Sequence, residues 1–596
     1  MRTAEDVLNI IRDRGQRKLP LEDVYRQLYN PDLYLRAYGR IYRNDGAMTP
    51  GTTEDTVDGM SMARINAIIE DLRYERYRWT PVRRTHIPKK NGKTRPLGIP
   101  TWTDKLLQEV MRSILEAYYE PQFSNHSHGF RPKRGCHTAL TAIARTWVGT
   151  KWFVEGDIKG CFDNINHQIL LEVLKKDIHD NRFIKLVEGL LQAGYMERWH
   201  YNPTLSGTPQ GGVISPILAN IYLDQLDKFV EATLLQEYNR GNKRRKNPEY
   251  NRLAGRAETL RANGDRHGAS ELFHQYQKLP STDQYDPNYR RLRYIRYADD
   301  FILGFAGPQE EAEEIKQRLK SFLNEKLRLE LSEEKTLVTH TQTGRARFLG
   351  YEIAGRQVND KHDSTSRRTM SSRIGLLVPV DVINDRCSLY AKNGKPIHRA
   401  ERVNDDDFTI ISDYQSEYRG YVQYYQLAEN IAWLQRLYWY MHTSLLKTLA
   451  HKHKATVNAI AQRYIATIDT EHGPRKVIQC IVPREGKTPL EVHFGGLALR
   501  QAAGATIYDQ TTHAYVPKRT ELVKRLLADK CEICESAEKV EVHHIRKLAD
   551  LKVKGQKEKP LWMQIMAARK RKTLVVCQKC HDDIQYGKPI RAQSKT

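Results

Sequence analysis

Asp299 and Asp300 stand side by side in Tyr297-Ala298-Asp299-Asp300, and adjacent carboxylates repel unless a cation lies against them. Residues 294–297 and 301–305 flank them and are rich in aromatic and β-branched types that favour strands. The pattern predicts a tight turn between two short strands, with the acidic pair projected from a rigid base. A plain hairpin turn has the same signature, because Asp is common in turns. A third carboxylate lies upstream, where residues 151–158 read as a strand carrying Asp157 near its end. Phosphoryl transfer with two divalent cations needs oxygen ligands that hold the ions about 3.5–4 Å apart. Asp157, Asp299 and Asp300 would supply them.

The elements around these residues extend the pattern. Asp157-Ile158-Lys159-Gly160-Cys161-Phe162-Asp163 resembles the first metal-binding motif of a reverse transcriptase palm, and Tyr297-Ala298-Asp299-Asp300 the second. The resemblance implies that Asp157, Asp299 and Asp300 are catalytic. It also implies that Asp157, Ile158, Asp299 and Asp300 bind two Mg2+ ions.

Ahead of the palm, Asn91-Gly92 is a hairpin signal that sets Lys89 and Arg95 on neighbouring strands. Two cations facing one spot suit a triphosphate, Arg through its planar fork and Lys as a point charge; an exposed basic hairpin reads the same way. In reverse transcriptases the matching fingers hairpin grips the incoming nucleotide. Residues 104–119 form a long amphipathic helix, followed by the basic loop His128 to Gly135, which resembles a block near the template. Phe162 falls five residues after Asp157, where the family places an aromatic that excludes a ribose 2′-hydroxyl, and core packing suits it equally. Gly207-Thr208-Pro209-Gln210-Gly211-Gly212 lets backbone approach a ligand, and Gln210 offers an amide; the run matches the family's nucleotide and primer block. The nucleotide-binding set is then Lys89, Arg95, Phe162 and Gln210.

Residues 1–80 have helical periodicity, broken at Thr49-Pro50-Gly51 and Asp58-Gly59. Residues 236–290 read as a basic insertion, either solvated or in contact with RNA. The blocks at Leu331 to Thr336 and Phe348 to Tyr351 match the end of the palm, the latter a hairpin that grips the primer in the family. Past 370 the chain becomes helical and aromatic, and such a stripe is core by default. The run Ser416 to Tyr425 nonetheless resembles the maturase thumb of group II intron proteins.

At the C-terminus, Cys531-Glu532-Ile533-Cys534 and Cys577-Gln578-Lys579-Cys580 are paired CxxC knuckles, whose thiolates suit one structural Zn2+. Between them lies Glu541-Val542-His543-His544-Ile545, and His581 follows directly. The set resembles an HNH endonuclease: a ββα site with His544 as general base and His543 and His581 holding Mg2+ or Mn2+. Two positions depart from it, Lys572-Thr573 where the family has Asn and Gln585 where it often has His. A zinc ribbon that only grips DNA is the alternative.

A net charge of +24 and a pI near 9.5 over 596 residues imply several domains and a long polyanionic partner. No apolar run of 18 or more residues marks a membrane span, and eight cysteines in such a chain do not make a disulfide scaffold. The expected setting is cytoplasmic, bacterial or organellar. The expected architecture is multidomain α+β: a right-hand polymerase with fingers and palm, a helical thumb and a zinc-stabilised ββα module. The expected division is 1–80 RNA-binding extension, 81–365 fingers and palm, 366–455 maturase thumb, 456–525 DNA-binding region and 526–596 HNH domain.

Taken together, the blocks resemble a group II intron-encoded reverse transcriptase and maturase with an HNH nuclease. This implies intron RNA in a lariat ribonucleoprotein, target DNA and dNTPs as partners, and insertion by target-primed reverse transcription. Two other readings are a retron-like reverse transcriptase and a splicing factor that no longer polymerises.

Overall fold

In the computed structural model the described residues are 2–588, excepting 45, 89–91, 93, 198–199, 203–206, 208–210, 284–285, 357–372, 485, 509–520 and 552–558. The palm sheet is antiparallel, in the order Arg291–Tyr297, Asp300–Ala306, Trp152–Asp157, Val338–His340. Its two inner strands, Asp300–Ala306 and Trp152–Asp157, are buried nearly throughout, so both faces must be covered. Helices Cys136–Thr146, Ser215–Phe229 and Gln309–Leu327 supply the cover.

Helix Trp102–Tyr119 is buried nearly all round and is the spine of the N-terminal half. Helix Ala4–Gln16 crosses it so closely at Gly15 that a Cβ there would lie 2.1 Å from Tyr118 O. Only glycine permits that approach. Val7, Leu8 and Ile11 therefore join one core with that antiparallel sheet, and the first 80 residues pack as part of the same body. A second sheet, Thr94–Ile99, Val82–Pro88, Tyr195–Glu197 and His200–Asn202, lies where the fingers were expected. The basic insertion is a helical hairpin, Pro248–Ala262 and Arg266–Tyr276.

Helices Asp407–Tyr424 and Leu434–His453 carry the aromatic stripe. Tyr414, Tyr418 and Tyr425 are buried, whereas Trp433 and Trp439 are exposed. Strands Ile465–Thr470, Gly473–Arg484 and Lys487–Gly495 form a meander against these helices. Phe494 stacks on Tyr438 at 5.4 Å, and the Gln415 amide both donates to and accepts from Gly495.

The C-terminal module pairs Val540–His544 with Thr573–Cys577, and helix Gln578–Gln585 follows. A third strand joins this sheet from the other end of the chain: Met60 pairs with Val542 and Ser61 with Glu541. Among the described residues no helix is long and apolar enough to cross a membrane.

Candidate functional site: a polymerase palm and a composite nuclease centre

Asp157 ends the central palm strand in register with Asp300, and Tyr297 pairs with Asp300 to close a two-residue turn at Ala298-Asp299. Ala298 sits at φ +54°, a strained conformation for a residue with a β-carbon, so something must hold it. The holder is Arg296, fully buried, whose Nη1 donates to Ala298 O at 2.8 Å. Its Nε and Nη2 donate to the two oxygens of the equally buried Asp227 at 2.8 and 2.6 Å, and the Tyr294 hydroxyl donates to the same carboxylate. Gly129 backs the turn so tightly that a Cβ would lie 2.3 Å from Ala298 N, and Asn220 ties Gly129 O to the Arg296 guanidinium. Sequence reading missed Arg296 and Asp227; Arg296 is one of three arginines in its strand, and nothing in the sequence marks it as the one that is fully buried.

Burial pushes Asp300 up to about 7, and the charges of Asp299 and Asp157 push the same way. Asp299 is raised by burial and by Asp157, against the opposing charges of Arg95 and Lys335. Lys335 Nζ lies 2.9 Å from Asp157 Oδ2. The three carboxylates share one end of the sheet without forming a tight cluster. Among the described residues, the groups whose ligand atoms all lie within 4.8 Å of one another lie elsewhere: the four cysteines of the C-terminal module, and Asp58 of the N-terminal extension with His543 and His581. The Ile158 side chain is buried and offers no donor, which leaves only its backbone carbonyl for an ion.

Arg95 is exposed on its strand, and its charge favours the ionised form of Asp299. Phe162 is half-buried, edge-on to Phe130 at 6.3 Å. Lys89, Asn91 and Gln210 lie outside the described residues. The glycines beside Gln210 are described: a Cβ at Gly211 would meet Gly98 O, and one at Gly207 would meet Phe162 O, each at 2.7 Å. Gly211 thus packs against the strand Thr94–Ile99, and Gly207 against the first acidic motif. The hairpin at Phe348–Tyr351 is held by thumb tyrosines, Tyr424 donating to Leu349 O at 2.7 Å and Tyr425 to Gly350 O at 3.1 Å.

In the C-terminal module the sulfurs of Cys531, Cys534, Cys577 and Cys580 converge, with Cys534 and Cys577 3.6 Å apart. His543 Nδ1 and His581 Nε2 approach to 3.1 Å. His544 is also buried, which pushes its imidazole down to about 3 and keeps it neutral at neutral pH. Two partners come from the N-terminal extension. The Tyr38 hydroxyl meets His544 Nε2 at 2.9 Å, and Asp58 Oδ1 lies 3.2 Å from His581 Nε2 and accepts from His544 N–H at 2.8 Å. Glu541, on the same strand face as His543, fixes His581 Nδ1 at 2.6 Å. Burial lowers His581, but hydrogen bonds to Asp58 and Glu541 outweigh it and hold the imidazole up near 9. Thr573, one of the two departures from the family pattern, takes hydrogen bonds from Arg525. A cleft of about 580 Å3 opens beside His544, walled by Arg43 of the extension and by Arg525, Arg546, Lys547, Arg571 and Lys572.

Acidic strand ends behind a fingers sheet, joined to an aromatic thumb and a ββα module with four converging cysteines, define a multidomain reverse transcriptase with a nuclease domain. Family comparison agrees segment by segment. Residues 87–248 and 267–353 match the reverse transcriptase (RNA-dependent DNA polymerase) family, the gap falling within the helical insertion. Residues 361–476 match the type II intron maturase, and 531–581 the AI2M/AI1M-like HNH endonuclease. The group II intron-encoded protein LtrA of Lactococcus lactis subsp. cremoris is 40% identical over 582 residues, 94% of each chain. The putative COX1/OXI3 intron 1 protein of Saccharomyces cerevisiae is 32% identical over 93% of this chain and 67% of its own length. Among solved structures, telomerase from Candida albicans aligns with a TM-score of 0.36 at 11% identity over 68% of this chain and 58% of that chain, too remote to add to the argument. The chain belongs to the group II intron-encoded proteins, and carries reverse transcriptase, maturase and HNH endonuclease domains.

Proposed function

We propose that this protein binds its intron RNA as a splicing cofactor and then acts with the excised lariat on DNA. The nuclease cuts the strand opposite the insertion, and the palm extends the cut 3′ end on the RNA. The observation that carries this reading is the union, in one chain, of three palm carboxylates beside Arg95 with a His543/His581 pair next to a neutral His544. The proposed division is extension to 80, fingers and palm to 365, maturase thumb to 455, DNA-binding region to 525, then HNH. Such a protein works inside the cell, where intron RNA and target DNA are found.

Asp157, Asp299, Asp300 and the Ile158 carbonyl suit two Mg2+ ions, which would neutralise charge on the attacking and leaving oxygens of phosphoryl transfer. Arg95, with Lys89 and Gln210, would hold the triphosphate, and Phe162 would bar a 2′-hydroxyl. His543 and His581 would hold Mg2+ or Mn2+, which would supply positive charge beside the scissile phosphate. His544 would take the proton from the attacking water at Nε2. To do so it must part from the Tyr38 hydroxyl that now occupies that nitrogen. His544→Ala is expected to lower target-DNA nicking at least about a hundredfold. Extension of a supplied primer on RNA should continue. Equal nicking by variant and parent would refute the nuclease assignment.

The four cysteines fit a structural Zn2+: their donors are soft, they converge, and none is in a disulfide. Zinc would contribute folding energy to the module. Cys531→Ala is expected to remove one equivalent of zinc and to unfold the chain from about 525 onward. Primer extension should persist. Unchanged zinc content would refute the site.

A further inference from the structure

Asp58 belongs to no motif and comes from the opposite end of the chain, 486 positions before His544. Yet its Oδ1 lies 3.2 Å from His581 Nε2 and 3.5 Å from His543 Nδ1, and those nitrogens are 3.1 Å apart. With metal–ligand bonds of about 2.1 Å, neighbouring ligands stand about 3.0 Å apart in an octahedron and about 3.4 Å apart in a tetrahedron. The observed sides of 3.1, 3.2 and 3.5 Å lie within or close to that range. We propose that Asp58 is the third protein ligand of the nuclease cation, so that the nuclease centre is complete only when the N-terminal extension is docked on the HNH module. This inference rests on the nuclease reading above.

Four further observations support it. Gln585, in the position where the family often has a ligand His, points its amide Nε2 at Asp58 Oδ2 from 3.4 Å and at His581 Nε2 from 3.5 Å. An amide N–H is a donor and binds no cation, so at this corner the oxygen that faces the two histidines is that of the Asp58 carboxylate. Asp58 is fixed in place, since its Oδ1 accepts the His544 N–H and the adjacent Met60–Ser61 strand is hydrogen-bonded into the module's sheet. His581 is set as carboxylate-oriented metal ligands are, with Nδ1 against Glu541 and Nε2 facing the triangle. Finally, His543 is 7% exposed, and its Nδ1 meets both other corners of the triangle while its Nε2 is buried without a hydrogen-bond partner, so the ring's polar contacts all lie within the triangle.

The test is Mn2+ binding to the full-length chain, followed by electron paramagnetic resonance. All samples carry Asp299→Asn and Asp300→Asn, which removes the palm's contribution. Asp58→Asn keeps the side-chain shape and an oxygen for the His544 N–H, so docking should survive; zinc content on the same samples checks the module. Asp58→Asn and His543→Ala are each expected to weaken Mn2+ binding at least about tenfold. Tyr38→Phe, which loosens the same interface without removing a ligand, is expected to bind Mn2+ as the parent does. Parent-like binding by Asp58→Asn beside a defective His543→Ala would overturn the inference and leave the nuclease reading standing. So would an equal loss in Tyr38→Phe, which would make Asp58 a docking contact only. Parent-like binding by His543→Ala would show instead that the nuclease reading itself had failed.

Discussion

Asp299→Ala is expected to abolish DNA synthesis on an RNA template, a loss of more than about a hundredfold, given that removing even an outer partner of a metal site costs 10–100-fold. Intron RNA binding should survive, because it draws on basic surfaces elsewhere. Near-normal synthesis by this variant would remove the palm assignment. The same carboxylates predict a pH signature. Asp300 is raised to about 7 because burial and its acidic neighbours disfavour its charged form. A raised carboxyl is protonated below its shifted value, so protons and Mg2+ compete for it there. The Mg2+ concentration needed for half-maximal synthesis should rise as pH falls through about 7, and excess Mg2+ should move the midpoint of the pH profile downward. A Mg2+ requirement constant between about pH 6 and 8 would contradict this.

Asp227→Ala should be the most damaging change that touches no substrate. It leaves the fully buried Arg296 without a counter-charge, and breaking such a pair costs about 3–5 kcal/mol. The calorimetric transition of the polymerase should shift strongly downward or the protein should fail to fold. The instructive partner is the double variant Asp227→Leu/Arg296→Met, which removes both charges. It should recover much of the stability, because a matched apolar pair avoids desolvating ions. It should not recover synthesis, since Ala298 O would still lack the donor that pins the acidic turn. A fully active double variant would show that the network serves stability alone.

What was legible in the sequence was local. A strand ending in Asp157 and an acidic turn after aromatic residues encode their own geometry, and the structure has both. The CxxC pairs and His543 with His581 could be grouped because each lies within a few positions of a recognisable marker. The supports were less visible. Arg296 violates the expectation that charge stays outside, and its partner Asp227 sits 69 positions away on a helix. Asp58-Gly59 carried an ordinary turn signal, and nothing nearby shows that the chain continues into a strand of a distant sheet. The meander over 465–495 was unread because its exposed faces hold Ile465, Ile481 and Val482 beside basic residues, which blurs the alternation that marks a strand.

The two-residue strand Met60–Ser61 also sets a schedule. It reaches its partner only after some 480 further residues have been made. At about 5–20 residues per second, that delay is roughly half a minute to a minute and a half. Fingers, palm and thumb all emerge in that interval and draw on segments already released. The nuclease centre therefore assembles last on a nascent chain. The segments made earlier are thus free to fold and to meet a ligand while that centre is still unfinished.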